Sequence, residues 1–221
     1  MLEALKEEVC DQNHELPRNN LVVGSGGNVS GRDKETGLIV IKPSGVKFAK
    51  LTPDTMVVID IDGNVIEGEM KPSVDAGIHL YLYRNRDDIG GITHTHSPYA
   101  TSFAARGERI PAVLTPITHM IGRDVPCSRY ATAGEVDTGE AILEAAQGGY
   151  AALVKAHGVF TMGKSATEAT SVAMYLEEAA MTTHLAMLRG EVEELPQEEI
   201  VRCFEWFRKN YGQAGQKSVN S

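Results

Sequence analysis

Ile89-Gly-Gly-Ile-Thr-His-Thr-His-Ser-Pro98 is the stretch on which the reading of this chain turns. Its apolar start and alternating end predict a strand over 89–95. Ser97 and Pro98 then open a helix, because serine caps well and proline's fixed φ suits the first helical position. Residues two apart in a strand point to one face, so His94 and His96 aim their imidazoles into one volume. A second apolar run, 151–156, ends at His157 and is followed by Gly158. Two strand ends that each deliver histidine would build a three-nitrogen metal site with an open position. That is the arrangement of a catalytic ion rather than a closed structural one. The plainer alternative is a polar pair leaving a strand plus an unrelated histidine, since such pairs recur by chance.

The 221 residues suggest a single domain, expected over 1–213, with a small, polar, flexible tail at 214–221. A formal net charge of −9 argues against nucleic acid and against an anionic membrane as partners. An anionic substrate would therefore need a local positive site. Cys10, Cys127 and Cys203 are odd in number and widely spaced, which suits a reducing cytoplasm better than a disulfide framework. No apolar stretch is long enough to span a bilayer, and the chain opens with an amphipathic acidic helix rather than a signal peptide.

That first helix is expected to end before Pro17. A glycine-rich loop, Gly24-Ser-Gly-Gly-Asn-Val-Ser30, follows. Residues 38–41 form a short buried strand ahead of the turn Pro43-Ser-Gly45. The segments 56–61 and 65–67 flank Asp62-Gly-Asn64, a hairpin signal. Lys71-Pro-Ser73 starts a helix to about Arg84, with Ser73 as a plausible cap. Ser165 and Glu168 form a capping box for a long helix closed by Gly190, and Pro196 opens a last helix to about Asn210. Strands joined by hairpins and mixed with helices favour a mixed or antiparallel sheet covered by helices.

Asp75 and His79, four apart, share a helix face, so the carboxylate could stand beside the metal as ligand or proton carrier. The plainer reading makes Asp75 a first-turn acid that complements the helix dipole. Three small polar turns, at Gly26-Gly27-Asn28, Ser44-Gly45 and Ser73, are of the kind that bind phosphate through backbone amides. Lys42 could add charge to them. No nucleotide-binding glycine fingerprint is present. His14 and His184 fall inside helices and read as structural or exposed. His119 falls on a loop, and Tyr211 could be a terminal anchor or a proton donor. The 174–187 stretch reads as core packing.

Taken together, Gly27-Asn-Val-Ser30, Lys42-Pro-Ser-Gly45, Lys71-Pro-Ser-Val-Asp75, His94-Thr-His-Ser97 and His157-Gly158 resemble the class II aldolase and L-ribulose-5-phosphate 4-epimerase family. The resemblance runs over nearly the whole chain. It implies a three-layer α/β/α sandwich around a largely antiparallel sheet. It also implies a C4 homotetramer with active sites between subunits. It assigns His94, His96 and His157 to one divalent ion per subunit, zinc first and manganese or cobalt as alternatives. Asn28, Ser44, Gly45 and Ser73 match the phosphate-binding positions, and Lys42 matches a nearby lysine. The aspartate at 75 and the Tyr211-Gly-Gln end resemble the epimerase branch, in which that tyrosine is a catalytic acid/base; the fuculose- and rhamnulose-phosphate aldolases carry glutamate at 75. Val74 stands where a serine is common, and His119 where epimerases have a catalytic aspartate.

The implied activity is therefore a pentulose-phosphate 4-epimerase. The C4 proton of a 2-ketopentose is not acidic, but cleaving C3–C4 gives an enediolate and glycolaldehyde phosphate, and re-addition to the rotated aldehyde inverts C4. Each face of the aldehyde needs an acid/base, and His119 and Tyr211 take those roles. The alternative is an aldolase that releases the aldehyde from a ketose 1-phosphate, and a decarboxylase of a 3-oxo acid phosphate is a third reading. A non-enzymatic, adducin-like relative would have no need of all three histidines.

Overall fold

The computed structural model describes residues 2–132 and 135–211, so the tail expected at 214–221 lies outside the described residues. Seven strands form one sheet: β1 (Asn28–Arg32), β2 (Ile39–Ile41), β3 (Val57–Ile59), β4 (Val65–Glu67), β5 (Gly91–Thr95), β6 (Ala151–Val154) and β7 (Gly158–Gly163). Their order is β4-β3-β2-β1-β5-β7-β6, and each pairing is antiparallel.

Alternation along the strands builds two cores. On one face Ile92, Phe160, Met162 and Ile41 pack with helices α2 (Ala76–Asn85) and α5 (Glu135–Ala146). On the other, Val29, Val40 and Val58 meet α1 (Glu3–Arg18) and α6 (Ala166–Met187). Leu153 and Val159 meet α3 (Pro98–Arg106), α4 (Thr115–Ile121), α6 and α7 (Gln197–Asn210). The expected three-layer α/β/α sandwich is therefore present. Among the described residues no helix is long and apolar enough to cross a membrane.

Several elements differ from expectation. α1 runs through Pro17, because a proline in the last turn forfeits only one hydrogen bond and the Asn19 amide closes on Glu15 O at 3.0 Å. α2 starts at Ala76 with Asp75 at its N-cap position; Ser73 instead accepts from the Asp75 amide at 3.3 Å in a preceding turn. His119 lies on the seven-residue helix α4, not on a loop, and Pro116 opens that helix. Two strands were not foreseen, β1 and β7.

Candidate metal centre and active site

β5 lies between β1 and β7 and ends at the cluster. His94, on its penultimate residue, is buried with its ring stacked on Phe160 at 4.2 Å. Its Nδ1 sits 2.9 Å from the carbonyl oxygen of Val159. A carbonyl only accepts, so Nδ1 carries the proton and Nε2 keeps its lone pair for a metal. His96 is tied at its amide to Leu21 O at 3.1 Å. His157 sits in the tight connection between β6 and β7, rather than at a strand end, where Ala156 is left-handed with φ 60°.

The three rings lie 4.7, 4.9 and 5.3 Å apart, and one nitrogen from each falls within 4.8 Å of the others. Glycine makes that convergence possible. A Cβ on Gly158 would stand 2.5 Å from Thr95 O and 2.8 Å from the His96 ring. Gly27, at φ +78°, would drive a Cβ to within 2.8 Å of His94 O.

Burial pushes the pKa of His94 down to about 3, and the neighbouring imidazoles push the same way. Burial and His157 lower His96 too. Neutral imidazoles with bare nitrogens are what a divalent cation requires. The donor set, its spacing and the fixed His94 tautomer thus fit a metal ion.

Asp75 is half-buried and receives the Asn28 Nδ2 amide at 2.7 Å. Burial works to raise its pKa, but His94, His79, the Asn28 amide and His157 outweigh it and hold the carboxyl low. Asn28 itself pairs across the sheet with His94. The two lysine–proline–serine turns are laced together. The Ser44 amide donates to Lys71 O and the Ser73 amide to Lys42 O, each at 2.9 Å. Those amides are spent on each other, so the hydroxyls of Ser44 and Ser73 are what these two residues can offer an anion.

Lys42 is buried over the Phe48 ring and donates to Ser25 O at 3.2 Å. It therefore ties the glycine loop to the serine turns. Burial lowers its pKa while Asp75 counters. A cleft of about 420 Å³ opens beside Val74, Asp75, Tyr130, Lys155 and His157.

His119 and Tyr211 are elsewhere. His119 stacks on Phe207 at 4.7 Å, and Phe207 stacks on Tyr211 at 4.2 Å. Both residues line a separate pocket of about 320 Å³ with Glu168, Ser171, Tyr175 and Arg208. That pocket and the Asp75–His157 cleft have no lining residue in common. The fold thus gathers the metal and anion residues at one place and the two proposed proton carriers at another. Sequence reasoning missed Phe160 and the Val159 carbonyl, which orient His94, and Glu177, whose carboxylate takes the Tyr99 and Ala100 amides at 2.9 Å to cap α3 just after His96. The Glu177 signal was the bare N-terminus of a helix with no acid of its own in the first turn.

An α/β/α sandwich around an antiparallel sheet, with three imidazoles converging at one end of it, is the build of a class II aldolase. The profile of the class II aldolase and adducin N-terminal domain matches residues 7–184, and the chain belongs to that family. Class II aldolases use a divalent metal ion. An L-fuculose 1-phosphate aldolase is 36% identical, with a TM-score of 0.88 over 93% of this chain and 96% of that one. YgbL from Klebsiella pneumoniae, a candidate aldolase/epimerase/decarboxylase, is 26% identical, with a TM-score of 0.81 over 92% of this chain and 99% of its own. An aldolase II superfamily protein from Pseudomonas syringae shares the fold at 18% identity, TM-score 0.78, over 96% of this chain and 87% of that one.

Proposed function

We propose that this chain catalyses retro-aldol cleavage of a phosphorylated ketose with a divalent ion, zinc first, held by His94, His96 and His157. The observation that carries this reading is the convergence of three imidazoles beside the Asp75–Asn28 pair and the serine turns. Three histidines suit zinc, with manganese or cobalt as alternatives. An ion there supplies Lewis acidity that favours negative charge on the ketose C2 and C3 oxygens. Asp75 contributes a carboxylate that can take or hold a proton beside those oxygens. The Ser44 and Ser73 hydroxyls, Gly45 and Asn28 receive the phosphate, and the buried Lys42 fixes the turns that carry them.

Release of the aldehyde is the first reading, supported by the likeness to L-fuculose 1-phosphate aldolase. Retention and re-addition, which would make the chain a pentulose-phosphate 4-epimerase, is the second; Asp75 and Tyr211 favour it by their resemblance to the epimerase branch. In both, His119 and Tyr211 supply the proton transfers to a neighbouring subunit's cleft. Their placement together, apart from their own imidazole cluster, supports a closed C4 homotetramer. The three free cysteines favour a cytoplasmic setting. Incubation with ketose 1-phosphates and with L-ribulose 5-phosphate tests the reading. Aldehyde accumulating from a ketose 1-phosphate supports the aldolase, and conversion of the pentulose without free aldehyde supports the epimerase. Neither reaction from metal-loaded protein would sink both.

A further inference from the structure

The wall behind Asp75 is polar where a sheet and a helix would ordinarily meet through apolar groups. β1 presents Asn28 and Ser30 to α2, and both are buried. Ser30 Oγ lies 2.7 Å from His79 Nδ1 and 2.9 Å from the Tyr83 hydroxyl. His79 and Tyr83 are themselves buried, and burial lowers the pKa of His79 to about 4, so the ring is neutral.

The protons in this chain have one arrangement. Among the described residues Ser30 is the Tyr83 hydroxyl's one hydrogen-bond partner. A buried O–H needs an acceptor, so Tyr83 donates to Ser30 Oγ. Serine has a single proton, which must then go to His79 Nδ1. His79 is thereby fixed as the tautomer with its proton on Nε2, and that nitrogen is buried without a protein partner. Asp75 fixes a second group. Its carboxylate only accepts, so the Asn28 side chain turns Nδ2 toward it, and Asn28 Oδ1 is left buried without a partner. Among the described residues, His79 Nε2 on α2 and Asn28 Oδ1 on the facing β1 are thus a leftover donor and a leftover acceptor. His79 lies one helical turn beyond Asp75, and each perturbs the other's charge.

We propose that Tyr83, Ser30 and His79 form a one-way hydrogen-bond relay that ends, through a single internal water, on Asn28 Oδ1, and so holds the Asp75 carboxylate in place beside the imidazoles. The water accepts from His79 Nε2–H and donates to Asn28, which satisfies both buried atoms. Tyr83, Ser30 and His79 are positioning residues, since none reaches the cleft. The proposal rests on the reading of Asp75 as a working group of the site.

The test uses zinc-loaded protein labelled with ¹⁵N-histidine. Long-range proton–nitrogen correlation should report His79 as the Nε2–H tautomer in the wild type. A crystal structure should hold an ordered water between His79 Nε2 and Asn28 Oδ1. In Tyr83→Phe the relay loses its source, so the Nδ1–H tautomer should become populated. kcat should fall about tenfold with KM and zinc content little changed, the size usual for a lost outer partner of a metal site. Ser30→Ala, which removes the middle link and leaves the large ring in place, should lower kcat by a similar factor with KM and zinc content little changed, and guards against a Tyr83→Phe protein that does not fold. A wild-type Nδ1–H tautomer, no water between those two atoms, or a tautomer shift with unchanged kcat would each overturn the proposal. Protein that cleaves no ketose phosphate yet shows the predicted tautomer and water would count against the proposed activity and leave the relay standing.

Discussion

The two histidine-bearing sites of this molecule are held in different ways. His94 is locked by a strand, a stacked phenylalanine and a backbone carbonyl, and glycines make room around it. His119 lies on a short helix and stacks on Phe207 and through it on Tyr211, which is 63% exposed. The first site is finished within one chain. The second presents aromatic and titratable groups in a pocket that shares no lining residue with the Asp75–His157 cleft. A group fixed by backbone contacts keeps its geometry when a neighbour is lost, whereas a group fixed by exposed stacking relies on what is placed against it.

The largest effect should follow from breaking the first site. His96→Ala leaves two ligands, so metal binding and activity should both be lost, with kcat/KM down by about a thousandfold or more. Metal analysis and a melting curve check this. The residue is exposed, so the subunit should stay folded; full metal content in the variant would remove the assignment.

The second site should break differently. His119→Asn and Tyr211→Phe should each lower turnover by about a hundredfold, the range for a lost general acid or base, while metal stays bound. Mixing the Tyr211→Phe protein with the His96→Ala protein and exchanging subunits should restore part of the activity, because some clefts then combine an intact imidazole cluster from one chain with an intact His119–Tyr211 pair from its neighbour. Verified mixed oligomers with no recovery would count against shared sites.

A milder insult to the first site is Gly158→Ala. The new Cβ would meet Thr95 O and the His96 ring at less than contact distance. Metal affinity should fall about tenfold and stability by about 1–3 kcal/mol, as overpacking of a filled core does. Isothermal titration and chemical denaturation read the two, and unchanged metal affinity would mean the rings move freely.

These sites were unequally legible. The His94-Thr-His96 pair, the Pro98 helix start and the Ser165 cap carry local signals that tertiary structure obeys, since Ser165 accepts from the Glu168 amide as expected; Ser97 holds the N-cap position of α3, but its side chain makes no cap bond and Glu177 takes the amides instead. β1 was hidden because Asn28, Ser30 and Gly31 read as a polar loop. They are buried only because α2 brings Asp75, His79 and Tyr83 to them, and because Gly31 lets α1 approach. α4 was hidden by its length, although Pro116 marked its start. No local pattern could say that Phe207 would pair with His119, because that contact joins two helices remote in sequence.

Acid should also separate the two regions in metal-free protein. His94 and His79 have folded pKa values near 3 and 4, below the ordinary imidazole value of about 6.5. Between those limits the unfolded chain binds more protons, so their contribution is complete above about pH 6.5 and is lost as pH falls toward the folded values. Each group should cost about 1.4 kcal/mol per pH unit inside its window. Denaturation midpoints should drop steadily from pH 7 to 4.5, while His119, lowered by a slighter burial, adds little. A flat profile would mean the buried rings are not neutral in the native state.

The smallest expected effect concerns Val74, which stands between Ser73 and Asp75 and is 81% exposed. So exposed a side chain is not needed for packing, and Val74→Ser should leave the melting temperature almost unchanged. The substitution adds one hydroxyl at the lip of the cleft that Val74 and Asp75 line. One extra hydrogen bond, made in exchange for one to water, is worth about 0.5–1 kcal/mol. KM for a phosphorylated ketose should therefore fall about two- to fivefold, with kcat unchanged. Its unphosphorylated analogue should show no change. Ser73→Ala should move the same pair of constants in the opposite direction and further, because Ser73 also braces the turn that leads to Asp75. If both variants changed the two substrates alike, these turns would be shaping the start of α2 and not receiving a phosphate, and the anion would have to be sought elsewhere along the cleft, toward the exposed Lys155 and Tyr130.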